Sequence, residues 1–146
     1  MLVLLDSGPL GLLSNPTSSG PAHEAREWAS TRLRAGDELS VPEVADYEVR
    51  RELIRAGKQL GIARLDELCI GFSYAPLTTT IMRTAAGLWA DARNSGLPTA
   101  NDSALDGDVI LAAQALALAD DQAVVVATTN TKHLERYVDA RLWRDI

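Results

Sequence analysis

Residues 123–130 read AVVVATTN, and this stretch decides the fold. A continuous run of apolar, mostly β-branched residues is typical of a strand that is buried on both faces of a parallel sheet. Polar residues then end the strand. The run LVLL over residues 2–5 has the same character, and it is likewise followed by a polar residue, Asp6. We therefore predict two buried strands whose carboxyl ends carry polar side chains.

Helical patterns separate these strands from shorter ones. We predict helices over residues 21–33, 42–56, 61–70, 78–93 and 105–118, and a short helix around His133. Shorter strands fit residues 38–41, the residues before Ala75, and residues 138–143. Strands that alternate with helices indicate a parallel sheet with helices on both faces. We expect a single α/β domain over residues 1–146, a three-layer α/β/α sandwich with a central, mostly parallel sheet of four to five strands.

The composition of the chain supports a folded protein of the cytoplasm. The 146 residues are 47% hydrophobic and 23% charged, which argues against disorder. The longest apolar runs are far shorter than the roughly 18–20 residues of a membrane span. Only four apolar residues stand between Met1 and Asp6, whereas a secretory signal needs about 7–15. We expect no membrane contact.

Charge and cysteine content exclude other classes. The formal net charge of −6 has the wrong sign for a protein that binds nucleic acid by bulk charge alone. The one cysteine, Cys69, rules out an intramolecular disulfide and a zinc site built from several thiolates. We expect Cys69 to be a buried, inert thiol.

Three acids are candidates for chemistry. Ligands of an open parallel sheet bind at the carboxyl ends of its strands, which selects Asp6. Glu48 and Asp108 lie on predicted helices, and no local motif joins the three. Each has a simpler explanation: Asp6 as a cap, Glu48 in a surface ion pair, and Asp108 near a helix N-terminus. If they converge, oxygen ligands without a His or Cys cluster suit Mg²⁺ or Mn²⁺.

Four segments of the chain resemble the signature segments of PIN-domain endoribonucleases, most closely those of the VapC-type toxin branch. They are LVLLDSGPLGLL, VPEVADYEVRREL, LDGDVILAAQAL and VVVATTNTKHL, in the same order and spacing along essentially the whole chain. The resemblance implies that Asp6, Glu48 and Asp108 are the catalytic, metal-binding carboxylates.

The resemblance also assigns supporting roles. Ser7 would steady Asp6, Thr129 would support the site from the last buried strand, and Asp106 would act as an outer-shell acid. The family often has a further acid in its last segment, where this sequence has Asn130 and His133. Asn130 also fits a turn. The departure argues against a second tightly bound metal ion but leaves the number of ions, Mg²⁺ or Mn²⁺, open between one and two.

The implied activity is hydrolysis of single-stranded RNA by a metal-activated water. The family also implies a homodimer and a VapB-like antitoxin whose tail crosses the active site. Arg50 and Arg51, with Arg55 and Lys58, form a basic stretch that fits RNA or antitoxin contact, or an ordinary solvated surface.

Two other functions remain open. A phosphoacceptor receiver domain has similar size and topology, but it needs an acidic pair after the first strand and an Asp at the end of a middle strand. This chain offers Asp6 alone. A PIN-fold protein that has lost activity and serves as a binding module is the other alternative, and Asn130 is its best support.

Overall fold

The computed structural model describes residues 1–96 and 102–146, and of residues 102–104 it describes the backbone only. In chain order the elements are β1 (Leu2–Leu5), α1 (Ser7–Ser14), α2 (Gly20–Arg34), β2 (Glu38–Pro42), α3 (Glu43–Arg55), α4 (Gln59–Gly71), β3 (Ser73–Ala75), α5 (Thr79–Asn94), α6 (Asp102–Ala119), β4 (Val124–Thr128) and β5 (Ala140–Leu142). A 3₁₀ turn over Trp143–Asp145 follows.

The strands form one five-stranded sheet in the order β3-β2-β1-β4-β5, and every pair in it is parallel. This confirms the predicted fold class. The central strand is β1, and all four of its residues are buried. Its register with β4 pairs Leu2 with Val124 and Leu5 with Ala127, so the two predicted buried strands are neighbours.

Helices cover both faces of the sheet. On one face, Val3 and Leu5 of β1 belong to a core that also contains residues of α1, α2, α3 and α4. On the other face, Leu2 and Leu4 pack with residues of α3 and α6. Helix α5 packs on α6 from outside through a third cluster that includes Ile81 and Val109. The expected three-layer arrangement is therefore present.

Two local predictions differ from the structure. The segment around His133 forms a series of turns instead of a helix, and its backbone bonds include Glu135 N–H to Thr131 O. Helix α6 begins at Asp102, three residues before the predicted start. Asp108 therefore lies in the second turn of α6 and not at its N-terminus. The segment between the predicted helices 78–93 and 105–118, which we expect to be a polar loop, lies in part outside the described residues.

No helix in the described ranges combines the length and the apolarity that crossing a membrane requires.

A buried amide links the two helices that carry candidate acids. Gln114 of α6 is completely buried. Its Nε2 donates to the carbonyl oxygen of Ala75 at 2.6 Å, and its Oε1 lies 3.4 Å from the backbone N of Val44 in α3. Because the Ala75 carbonyl and the Val44 N–H are inside the protein, loss of the Gln114 side chain would leave both without this hydrogen-bond partner.

Replacing Gln114 therefore destabilises the fold. We expect Gln114→Ala to lower the free energy of unfolding by about 2–4 kcal/mol, since it leaves a cavity and an unsatisfied carbonyl. Urea denaturation followed by circular dichroism measures this. The exposed Gln122→Ala is the control, with a change below about 0.5 kcal/mol. Equal effects in the two variants would show that the buried amide contributes nothing.

Candidate active site

Asp6 is fixed where β1 ends. Its backbone N–H donates to the carbonyl of Ala127 at 2.9 Å, which continues the β1–β4 pairing by one residue. Its side chain caps α1 through the Ser7 N–H, 2.7 Å from Oδ1. The Thr128 hydroxyl donates to Oδ2 at 2.6 Å. Both carboxylate oxygens therefore have a fixed partner, and the carboxylate has one orientation.

Thr128 makes the supporting contact that the sequence assigned to Thr129. Thr128 is completely buried, and its Oγ accepts the Asn130 N–H at 3.1 Å, which leaves the hydroxyl proton for Asp6. The reason is register: Leu5 pairs with Ala127, so the next residues, Asp6 and Thr128, stand side by side. Aligning the two apolar runs in the sequence would have revealed this pair.

Thr129 has a different place. It is exposed and lies against the first turn of α1, where a Cβ added to Gly8 would come within 2.5 Å of its Oγ1. Only glycine fits at position 8 without displacing Thr129. The Ser7 hydroxyl is 3.4 Å from Asp6 Oδ1, so the Ser7 amide is the stronger support.

Asn130 has the structure of a turn residue. Its side-chain oxygen accepts the Lys132 N–H at 3.1 Å, and its own N–H binds Thr128. The side chain thus orders the turn after β4, and its backbone orients the hydroxyl that holds Asp6. The Asn130 amide oxygen is already used by this turn.

Glu48 approaches the site from α3 and touches α6. A Cβ added to Gly107 would lie 3.2 and 3.3 Å from the two carboxylate oxygens of Glu48. The absence of a side chain at position 107 therefore lets the Glu48 carboxylate lie against the backbone of α6, next to Asp108. Nothing in the sequence pattern identified Gly107, because its role depends on the packing of two helices.

The three carboxylates repel one another. Burial raises the pKa of Glu48 above its ordinary value; Asp6 and Asp108 raise it further, and Arg51 opposes them. Burial also raises the pKa of Asp108, to about 6, with a further contribution from Asp6 and an opposing one from Arg136. Each acid is thus within electrostatic reach of the other two. The structure thus places Glu48 against Gly107, next to Asp108, and places Asp6 close enough to both acids to raise their pKa values.

The chemistry of these donors fits a hard divalent cation, although the site is not closed. The carboxylates supply oxygen ligands only, and burial together with the neighbouring acids raises the pKa values of Glu48 and Asp108 despite the nearby Arg51 and Arg136. In the described part of the chain, however, no group of three or more His, Cys, Asp or Glu side chains stands ready to hold a metal ion. Binding would require the side chains to draw closer.

Asp106 lies elsewhere. It is exposed and lines a groove of about 390 Å³ between α5 and α6, with Met82, Trp89 and Ile110. Two residues along a helix correspond to a rotation of about 200°, so Asp106 and Asp108 face nearly opposite directions. The structure therefore does not place Asp106 beside the three carboxylates.

The two candidate arginines also separate. Arg50 forms ion pairs with Asp46 at 2.9 Å and with Asp66 of α4 at 2.7 Å, which turns it away from the site. Arg51 stacks on Tyr47, with its Cζ 5.1 Å from the ring centre, and lies in a groove with Glu48. Of the two, only Arg51 is in reach of a ligand at the carboxylates.

Arg136 lies near the candidate site, a position that the sequence did not predict for it. It lies in the turns after β4, and its charge lowers the pKa of Asp108. The sequence showed only a basic residue near the end of the chain. Its position became clear from the path of residues 131–138 across the edge of the sheet.

The raised pKa of Asp108 predicts how stability depends on pH without a metal. The ordinary pKa of an Asp side chain in an unfolded chain is 3.8, whereas burial raises the pKa of folded Asp108 to about 6. This contribution to stability is therefore present below pH 3.8 and is lost as pH rises to about 6. Asp108→Asn cannot ionise, so its stability relative to the wild type should rise through that window and then level off.

Thermal unfolding in chelator from pH 3.5 to 8 measures this difference. A difference between Asp108→Asn and the wild type that stays constant with pH would contradict the electrostatic account of the site.

Comparison with known proteins gives a likeness in fold. No protein-family model matches the chain, and no curated protein matches its sequence. Solved structures contain similar chains, and three of these structures are the following. A chain of VapBC2 from Rickettsia felis, solved with a DNA fragment from their promoter, has a TM-score of 0.72 at 14% identity, covering 97% of this chain and 98% of that chain.

The likeness to the other two structures is equally extensive. A chain of VapBC-1 from nontypeable Haemophilus influenzae has a TM-score of 0.70 at 18% identity and covers 99% of both chains. A chain of FitAcB from Neisseria gonorrhoeae has a TM-score of 0.67 at 18% identity, also over 99% of both chains. The likeness extends over the whole chain, and the protein has a PIN-like α/β fold of the kind found in these complexes.

Proposed function

We propose that this protein is a metal-dependent endoribonuclease that hydrolyses phosphodiester bonds of single-stranded RNA. The observation that carries the proposal is the convergence of Asp6, Glu48 and Asp108 at one end of the sheet, where each repels the others. A cluster of uncompensated acids is costly to maintain, and perturbed pKa values of this kind are characteristic of functional sites. The PIN-like fold supports nuclease activity as the function of these carboxylates.

In this proposal the three carboxylates hold one Mg²⁺ or Mn²⁺ ion. When bound, such a cation lowers the pKa of a coordinated water and polarises a phosphoryl oxygen. Asp6 is the fixed member, because Ser7 and Thr128 hold both of its oxygens. Glu48 and Asp108 each have a repulsive neighbour, so they can shift toward a positive charge.

The chain's own cations would guide the substrate. Arg51 lines a groove with Glu48 and lowers the pKa of this acid, and Arg136 lowers the pKa of Asp108. These positive charges let a phosphate approach three carboxylates that would otherwise repel it. Asn130 offers no acid and its amide oxygen serves a turn, which is why we propose one metal ion instead of two.

The comparisons also suggest partners. The similar chains come from structures named VapBC and FitAcB, in which two different proteins are present together. We propose that residues 1–146 act as one PIN domain in the cytoplasm, form a homodimer and are controlled by a VapB-like antitoxin. Arg51 is the residue that we assign to contact with RNA or with that antitoxin.

A second candidate is a PIN-fold binding module with impaired catalysis. Two observations favour it: Asn130 stands where an acid is common, and within the described residues no metal-binding group is already assembled. This candidate predicts no cleavage by the wild-type protein under conditions in which the metal is abundant.

Substituting the carboxylates tests the proposed activity. We expect Asp6→Asn and Asp108→Asn to reduce the rate of RNA cleavage at least about 100-fold in Mg²⁺ or Mn²⁺, because even the partners of metal ligands contribute 10–100-fold. A panel of labelled single-stranded RNAs, with products resolved on gels, gives the rates.

The control is Asp91→Asn, an exposed acid on α5, which should cleave at the wild-type rate. Cleavage that survives unchanged in Asp6→Asn would remove this carboxylate from the site. Absence of cleavage in the wild type across the panel would favour the binding module.

A further inference from the structure

A groove leads away from the carboxylates along α3. Its first part, about 490 Å³, begins at Ser7 and Glu48 and runs between α1 and α3 to Lys58. Its second part, about 590 Å³, shares Gly11, Leu53 and Lys58 with the first and continues to the loop after α1 and the start of α4. We call the two parts together the α3 groove. It connects the acidic cluster with the surface around Leu60.

Positive charge lines this groove. Its basic residues are Arg51, Arg55 and Lys58. Arg55 is neutralised by Glu52, at 2.9 Å. Within residues 1–96 and 102–146, no acid lies within ion-pair distance of the Arg51 guanidinium or of the Lys58 ammonium. Lys58 therefore lies in the groove without an ion-pair partner, and Arg51 interacts with Glu48 through the longer-range attraction that lowers the pKa of this acid.

The order of these groups along the chain suits an extended ligand. Arg51 is almost one helical turn beyond Glu48, and Lys58 follows Gly57, whose φ of 66° ends α3. Arg51 lies within α3 and Lys58 lies beyond its end, seven positions further along the chain, so we expect the two cations to contact different phosphates. Between them the groove is lined by the apolar side chains of Leu53 and Ala56 and by the Glu52–Arg55 ion pair, and beyond them Leu60 is 71% exposed. A single nucleic acid strand presents phosphates and apolar base faces in the same way.

We propose that the α3 groove holds the RNA strand on one side of the bond to be cut, with Arg51 and Lys58 contacting different backbone phosphates. The proposal rests on the proposed function, because it takes the three carboxylates as the point of cleavage. Cations without an ion pair that continue from the acidic cluster, Arg51 and then Lys58, favour a polyanion over a protein segment. Arg50, which is engaged with Asp46 and Asp66, has no part in this path.

Binding of RNA to the full-length chain tests the groove separately from cleavage. The Asp108→Asn variant serves as background so that bound RNA stays intact, and the probe is a fluorescently labelled single-stranded RNA oligonucleotide. We expect Lys58→Gln to weaken binding about 3- to 10-fold and to reduce the slope of log affinity against log salt by about 0.7–1, as the loss of one phosphate contact does. Anisotropy titrations over a range of salt concentrations measure both quantities.

The control is Arg83→Gln on α5, an exposed cation outside the groove, which should leave affinity and salt slope unchanged. If Lys58→Gln behaves like Arg83→Gln while the wild type cleaves RNA, the groove proposal is wrong and the proposed function stands; a protein segment is then the better occupant. If Lys58→Gln weakens binding but the wild type does not cleave, the groove is correct and the nuclease assignment fails. Absence of RNA binding in this background together with absence of cleavage by the wild type overturns both.

Discussion

The parallel pairing of β1 with β4 is the constraint on which the rest of the site depends. It places Asp6 beside Thr128, and the Thr128 hydroxyl then fixes the carboxylate in one orientation. A slip of one residue in this register would reverse the faces of β4 and take the hydroxyl away. The buried faces of β1 forbid such a slip, since Leu2 to Leu5 pack into cores on both sides of the sheet. Stability of the fold and geometry of the site thus have the same origin.

Around this fixed acid, the other two carboxylates are held in an unfavourable position. Glu48 lies against the backbone of α6 at Gly107, and Asp108 follows on the next residue. Their raised pKa values measure the cost, which Arg51 and Arg136 offset only in part. In our proposal, a bound divalent cation supplies the remaining positive charge. The acidic net charge of the chain is therefore compatible with RNA as substrate, because binding would depend on the metal and on a few local cations.

The sequence was sufficient to predict the layers of the fold, and it selected the three acids on which our proposal rests. Continuous apolar runs revealed the buried strands, and the rule that ligands bind at strand ends, together with the resemblance to PIN domains, selected Asp6, Glu48 and Asp108. Contacts that depend on register or helix packing were not predictable from pattern alone. That Thr128 and not Thr129 supports Asp6 follows from the pairing of β1 with β4. That Arg51 and not Arg50 faces the candidate site follows from the position of α4, whose Asp66 binds Arg50.

Metal binding tests the central claim most directly. In calorimetric titrations with Mn²⁺, our account predicts that the wild-type chain binds one ion per chain, that Asp6→Ala abolishes the binding, and that Asp91→Ala does not affect it. Heat signals from the wild type that persist unchanged in Asp6→Ala would contradict the account, as would the absence of binding by the wild type. Either result would mean that the three carboxylates come together for a reason other than metal-dependent chemistry.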